Sequence, residues 1–154
     1  MESPHPAKEI VLTAYDELIA EADRHYAHGD FKEAHITYGV AVSLGRDRNY
    51  YCRQMRGICS RRVAEERLRL AGEDQQRRRA LLDQAANWLA KSEANLSSAF
   101  EESPEMELGN IRIEQAQTEE TIARFMEMCG GNPARRLSNA RSYREEGTEL
   151  LARV

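Results

Sequence analysis

Proline and glycine are scarce in this chain, at 4 and 9 of 154 residues, and β-branched residues are few. That scarcity excludes collagen-like, low-complexity and turn-rich β architectures. Cysteine occurs three times, an odd number that argues against a disulfide framework. Cys52 and Cys59 share one predicted helix and stand about 10 Å apart along it, too far for a bridge. No apolar run approaches the ~20 residues of a membrane span. The stretch Met1 to Pro6 has neither a basic segment nor an apolar core, so no signal peptide is expected. A cytoplasmic location with reduced thiols follows as the expectation.

Catalytic motifs are missing too. There is no G-x-x-x-x-G-K-[ST], G-x-G-x-x-G, G-x-S-x-G or H-E-x-x-H. The carboxylate pairs Glu65-Glu66, Glu101-Glu102, Glu119-Glu120 and Glu145-Glu146 are neighbours in sequence. On a helix they point about 100° apart and form no acid–base dyad. His25 and His28 have a spacing that can share a metal, but no second group of ligands is fixed nearby. Neither enzyme activity nor a cofactor nor a metal is expected.

Ala, Glu, Arg and Leu dominate, 41% of residues are hydrophobic and 31% charged. This predicts a single all-α domain across 1–154, long enough to bury a core. The punctuation predicts six helices. The first runs from about Pro6 to His28, and the second from Asp30 to Leu44, stopped by Gly45. The third follows Asp47 and closes at Ala71-Gly72. The fourth covers Asp74 to Glu102. Ser103-Pro104 caps and begins the fifth, which ends at Cys129 before Gly130-Gly131. Asn132-Pro133 opens the sixth, which reaches Ala152. These pair into three stacked antiparallel hairpins, 6–45, 46–102 and 104–153.

One stretch carries more than helix signals: Ala22-x3-Tyr26-x2-Gly29-Asp30-Phe31-x2-Ala34-x3-Tyr38-x2-Ala41. Gly29 can close one helix in the left-handed conformation, and Asp30 with Glu33 reads as a capping box for the next. Ala22 and Ala34 allow close helix approach, and Tyr26, Phe31 and Tyr38 fill the space around them. The spacing resembles one tetratricopeptide repeat over about 15–45. A related pattern occurs in the three-helix microtubule-interacting-and-trafficking domain. The tetratricopeptide resemblance implies stacked hairpins that bind a peptide or protein surface on a concave face lined by first helices. The family's carboxylate clamp needs Lys, Asn and Arg in that groove. Ile19 and Asp23 stand at the corresponding positions of the first helix and do not match it.

Charge is unevenly spread. Basic against acidic side chains number three to eight in 1–45, eleven to five in 46–79, and eight to thirteen in 80–154. On the third helix Asn49, Arg53, Arg56, Ser60 and Arg67 share one side, opposite Tyr51, Cys52, Met55, Ile58 and Cys59. The sharper reading is an Arg-lined groove receiving an acidic peptide, with Asp23, Tyr26, Asn49, Arg53, Arg56 and Ser60 as partner-binding residues. The alternative is that these arginines pair with the chain's own acidic flanks. His25 occupies a groove-type position.

Three functions remain open at this point. An adaptor binding a protein or peptide is favoured by the family resemblance. Nucleic-acid binding through the band 46–79 is disfavoured by a pI of 5.7 and the lack of a known module. A homodimer could form through a heptad-spaced stripe on the fifth helix: Leu108, Ile111, Gln115, Thr118, Ile122, Phe125 and Cys129. The same stripe reads more simply as an ordinary core face of a bundle.

Overall fold

Left-handed glycines set the turns of the first and third hairpins. The structure, a computed structural model, describes residues 6–45 and 48–154, with side chains from residue 14 onward. The expected start of the second hairpin at 46 and the reading of residues 1–5 lie outside the described residues. Six helices are present: α1 (Pro6–Ala27), α2 (Phe31–Ser43), α3 (Asn49–Glu73), α4 (Arg78–Glu102), α5 (Glu105–Met128) and α6 (Ala134–Ala152). No strand occurs among the described residues. The fold is all-α, a stack of helical hairpins α1–α2, α3–α4 and α5–α6. The hairpins join where α2 meets α3 and α4 meets α5, and α3 also touches α5.

Gly29 has φ +78° and Gly130 has φ +79°. At each, two amide groups turn back onto the last helical carbonyls. Gly29 donates to Tyr26 and Asp30 to His25, while Gly130 donates to Glu127 and Gly131 to Met126. This paired pattern satisfies carbonyls that a helix end leaves open.

Three expected boundaries are corrected. Asp30 makes no side-chain cap, because its ψ of 66° departs from the extended geometry that aims a capping carboxylate at the first turn. Gly72 does not close α3. The helix runs through it to Glu73 and stops at extended Asp74, whose carboxylate accepts the Arg77 amide at 3.1 Å. The turn this forms delays α4 to Arg78. Ser103 does not cap α5, because its hydroxyl donates back to the Ala99 carbonyl, and Pro104 takes the cap position instead.

Two apolar clusters fill the stack. In the first, Tyr15, Ile19 and Ala22 of α1 meet Ala34, Tyr38 and Ala41 of α2 and Cys52 and Cys59 of α3. Tyr26 and Phe31 close its end edge-to-face, with centroids 5.5 Å apart. In the second, Ala64 and Leu68 of α3 pack with Ala85 and Leu89 of α4 and Ile122 of α5, and Trp88 and Phe125 lie against them. The α5 stripe is therefore an internal packing face. Ile111, Thr118 and Ile122 of the stripe are buried within the chain, while Cys129 at its end is exposed. Burial pushes the Cys59 thiol up to about 12 and raises Cys52 as well.

α6 approaches α5 closely through glycine. A Cβ on Gly147 would lie 2.9 Å from both the Gly109 carbonyl oxygen and Ile113 Cδ1. Gly147→Ala is therefore expected to lower unfolding free energy by about 1–3 kcal/mol, the range for overpacking. Gly72→Ala, in open space at a helical position, is expected to raise it by about 0.5–1 kcal/mol. Urea unfolding followed by circular dichroism measures both.

Candidate functional site

The six residues expected to form one groove lie in three different places. Asp23 accepts hydrogen bonds from the hydroxyls of Tyr38 and Tyr51, the latter at 2.6 Å. Burial and these bonds to Asp23 push the Tyr51 phenol up to about 12, and Tyr38 rises further. Asn49 accepts from Tyr15 at 3.4 Å, and Tyr26 packs on Phe31. These three residues join α1, α2 and α3. Ile19, at a position the clamp comparison used, is buried in the same junction.

Ser60 is fully buried, and its hydroxyl donates to the Arg56 carbonyl oxygen at 2.8 Å. It belongs to no open face. Arg53 and Arg56 turn toward the second helices of the hairpins. Arg53 pairs with Glu102 of α4 at 3.2 Å. Arg56 donates to Asn95 of α4 at 3.5 Å and lies against Gly39 of α2. The physical reason is that α3 is packed by α2, α4 and α5 together, so its polar residues are drawn apart among three neighbours.

Much of the band 46–79 is engaged inside the molecule. Arg61, 4% exposed, holds Glu114 of α5 at 2.5 Å. Its Nε also comes within 3.2 Å of Glu65, without hydrogen-bond geometry. Arg62 lies 3.6 Å from Glu65, and Arg69 bridges Glu66 and Glu73. Arg78 donates to the carbonyls of Ala71 and Met128, at the negative ends of α3 and α5. His28 bonds the Arg24 carbonyl, and His25 lies 3.6 Å from Glu21. No group of three metal-ligating side chains occurs among the described residues.

What stays open is a run of three adjoining depressions. One of about 250 Å³ lies between the α1–α2 turn and α3, around Gly29, Phe31, Arg62 and Glu66. The next, about 380 Å³, shares those four residues and extends to Arg69 and Arg124. The third, about 410 Å³, shares Glu65 and Arg124 and runs over Thr121 toward Arg144 of α6. The Arg62 guanidinium stacks 4.6 Å above the Phe31 ring. Arg124 is exposed and has no carboxylate partner among the described residues. Helical-wheel reasoning missed this surface because it is assembled from three hairpins. The local signal that pointed toward it is the Gly29-Asp30-Phe31 turn.

A polar cavity of about 320 Å³ also opens between α4, α5 and α6. Arg136 of α6 bridges Glu93 at 2.5 Å and the buried Glu119 at 3.0 Å. Burial raises the Glu119 carboxyl above the usual range, against the pull of Arg136. These two carboxylates are far apart in sequence, and no spacing announces them.

No protein-family model, curated protein or solved structure matches this chain.

His35 of α2 is buried edge-to-face against Trp88 of α4, with centroids 5.1 Å apart. Burial, then Arg56 and Lys91, lower its imidazole to about 4. It is neutral in the fold, while the unfolded chain takes up that proton near pH 6.5. Stability is therefore expected to be full above about pH 6.5 and to fall as pH drops to about 4. The loss is at most on the order of 3 kcal/mol. His35→Phe keeps the stacking and should flatten that part of the stability curve in urea melts taken across the pH range.

Proposed function

We propose that this chain is a protein-interaction module of tetratricopeptide-like build, without catalytic activity. It takes a peptide or protein surface along the face that α3 and α5 share. The observation that carries this reading is the continuous run of depressions from Phe31 and Arg62 to Arg124. Such a run crosses successive hairpins, as an extended ligand on a helical stack does. Arginine over an aromatic ring, beside a free arginine, suits a segment with carboxylate and apolar side chains. The turn at Gly29 and the buried Ala22, Ala34, Tyr38 and Ala41 support the repeat-like reading of 15–45. The engagement of Arg53, Arg61, Arg62 and Arg69 by carboxylates supports protein binding over nucleic-acid binding, which draws on uncompensated cations.

Arg62→Glu with Arg124→Glu changes two exposed side chains and is expected to keep the helical circular-dichroism signal. Affinity capture from source-cell lysate, after nuclease treatment, is expected to recover a protein with the wild type and to lose it with the double variant. Equal recovery by both would remove this face from the interaction. Recovery of nucleic acid alone before nuclease would favour the other reading.

A further inference from the structure

A second surface lies where α2 and α4 meet over α3, on residues separate from the face just described. Its charges are uncompensated. The half-buried Arg56 guanidinium rests on α2 at Gly39, where a Cβ would stand 3.2 to 3.3 Å from its atoms. A larger residue at 39 would crowd the guanidinium by a few tenths of an ångström. Its Nε is buried without an acceptor, and its hydrogen bond is the long one to Asn95. Lys91 sits 4.3 Å over the Trp88 ring. No carboxylate pairs with Arg56 or Lys91 among the described residues. Glu102 of α4 is taken by Arg53. His35 adds a buried Nε2 with no partner. Further along α3, Arg61, Arg62 and Arg69 each face a carboxylate, whereas Arg67, like Arg56, keeps a buried Nε without an acceptor.

Beside these cations α2 exposes Ile36 and Val40, one helical turn apart, at 50% and 47%. Trp88 is half-buried between the two helices. An aliphatic pair next to a cation pair is a combined chemistry. We propose that this surface takes an acidic amphipathic segment of a partner protein. A carboxylate of that segment meets Arg56 and Lys91, and an apolar side chain one turn away covers Ile36 and Val40. A carboxylate matches the guanidinium fork and supplies the charge this junction lacks. A long polyanion fits less well, because the chain's net charge of −4 repels it at a distance and because Ile36 and Val40 offer it nothing. Recognition through anchors spaced one turn apart is how an amphipathic helix is read by a groove.

Trp88 is the only tryptophan in the sequence, so the tryptophan fluorescence of the chain arises beside this surface. The probe is a short synthetic helical peptide with Glu and Leu one turn apart, titrated into the full chain. A saturable change is expected. Lys91→Glu and Ile36→Ser, both at exposed positions, should each weaken it by about tenfold, the effect of losing a charge-assisted pair or an apolar anchor. Lys-for-Glu and Ser-for-Leu versions of the peptide should give no saturation. The Arg62→Glu/Arg124→Glu variant should bind the peptide as the wild type does. The proposal fails if the Glu/Leu peptide gives no saturable change, or if its Lys version gives the same one. It fails as well if inorganic phosphate alone reproduces the response, which would make this a small-anion site. Loss of binding in the Arg62/Arg124 variant would move the peptide to the other face and also overturn it.

Discussion

Arg61 carries a full charge into the middle of the stack, and the placement of α5 on α3 depends on answering it. Removing a guanidinium from water costs several kcal/mol unless partners replace the lost solvation. Glu114 provides the replacement at 2.5 Å, and both groups sit on helices whose apolar faces already meet. Slide α5 by one turn and the charge is stranded. One turn further along α5, the Thr118 hydroxyl meets Ser92 of α4 at 3.0 Å, and Ser92 in turn donates to the Gly57 carbonyl of α3. Three helices are thus registered by polar contacts that tolerate little displacement. Apolar contacts alone would accept several registers.

The same logic explains why a basic band sits between two acidic segments. Hairpin two is the middle of the stack, and four of its arginines reach carboxylates on their own helix, on α4 or on α5. Arg53 meets Glu102, Arg61 meets Glu114, and Arg69 meets Glu66 and Glu73. The acidic third hairpin repeats the pattern within itself, with Arg136 and Arg144 of α6 held by Glu119 and Glu120 of α5. Charge separation along the chain becomes charge pairing in space. Arg56 and Arg124 are among the arginines that meet no carboxylate within the described residues, which leaves their charge open to a partner.

Helix positions and the hairpin pairing were legible in the sequence because they rest on local chemistry. Gly29 and Gly130 each stand where a left-handed residue is needed, and any side chain there would be strained. Gly72 misled because glycine permits a helix end without requiring one, and Asp74 supplied the actual stop. Ser103 misled because its hydroxyl had two helices within reach and bonded the one behind it. The candidate site was less legible. A helical wheel divides α3 into an inner and an outer side, whereas three neighbours give it three inner sides and leave narrow strips between. Ser60 fell on one of the inner sides. Arg53 and Arg56 read as exposed or groove-lining, whereas they face residues of α4 that lie 39 to 49 residues away, beyond any local pattern.

α6 shows what this mode of assembly does at low apolar content. Only Ala140 and Gly147 of that helix are buried, so hydrophobic burial contributes little to its docking. It is held instead by the backbone approach at Gly109 and Gly147 and by arginines acting as spacers. Arg112 lies 3.6 Å from the Phe100 ring centroid and 5.1 Å from that of Tyr143, and pairs with Glu146 at 3.1 Å. A flat guanidinium can stack on rings and lie against a carboxylate in the same pose, which an ammonium cannot match. Ion pairs at this exposure are individually weak and are screened by salt, whereas the glycine contact is not. The glycine contact therefore fixes where α6 lies, and the arginines set how tightly it stays there. That division leaves the Glu93–Arg136–Glu119 cavity beneath α6 polar and open, where a larger apolar α6 face would have filled it.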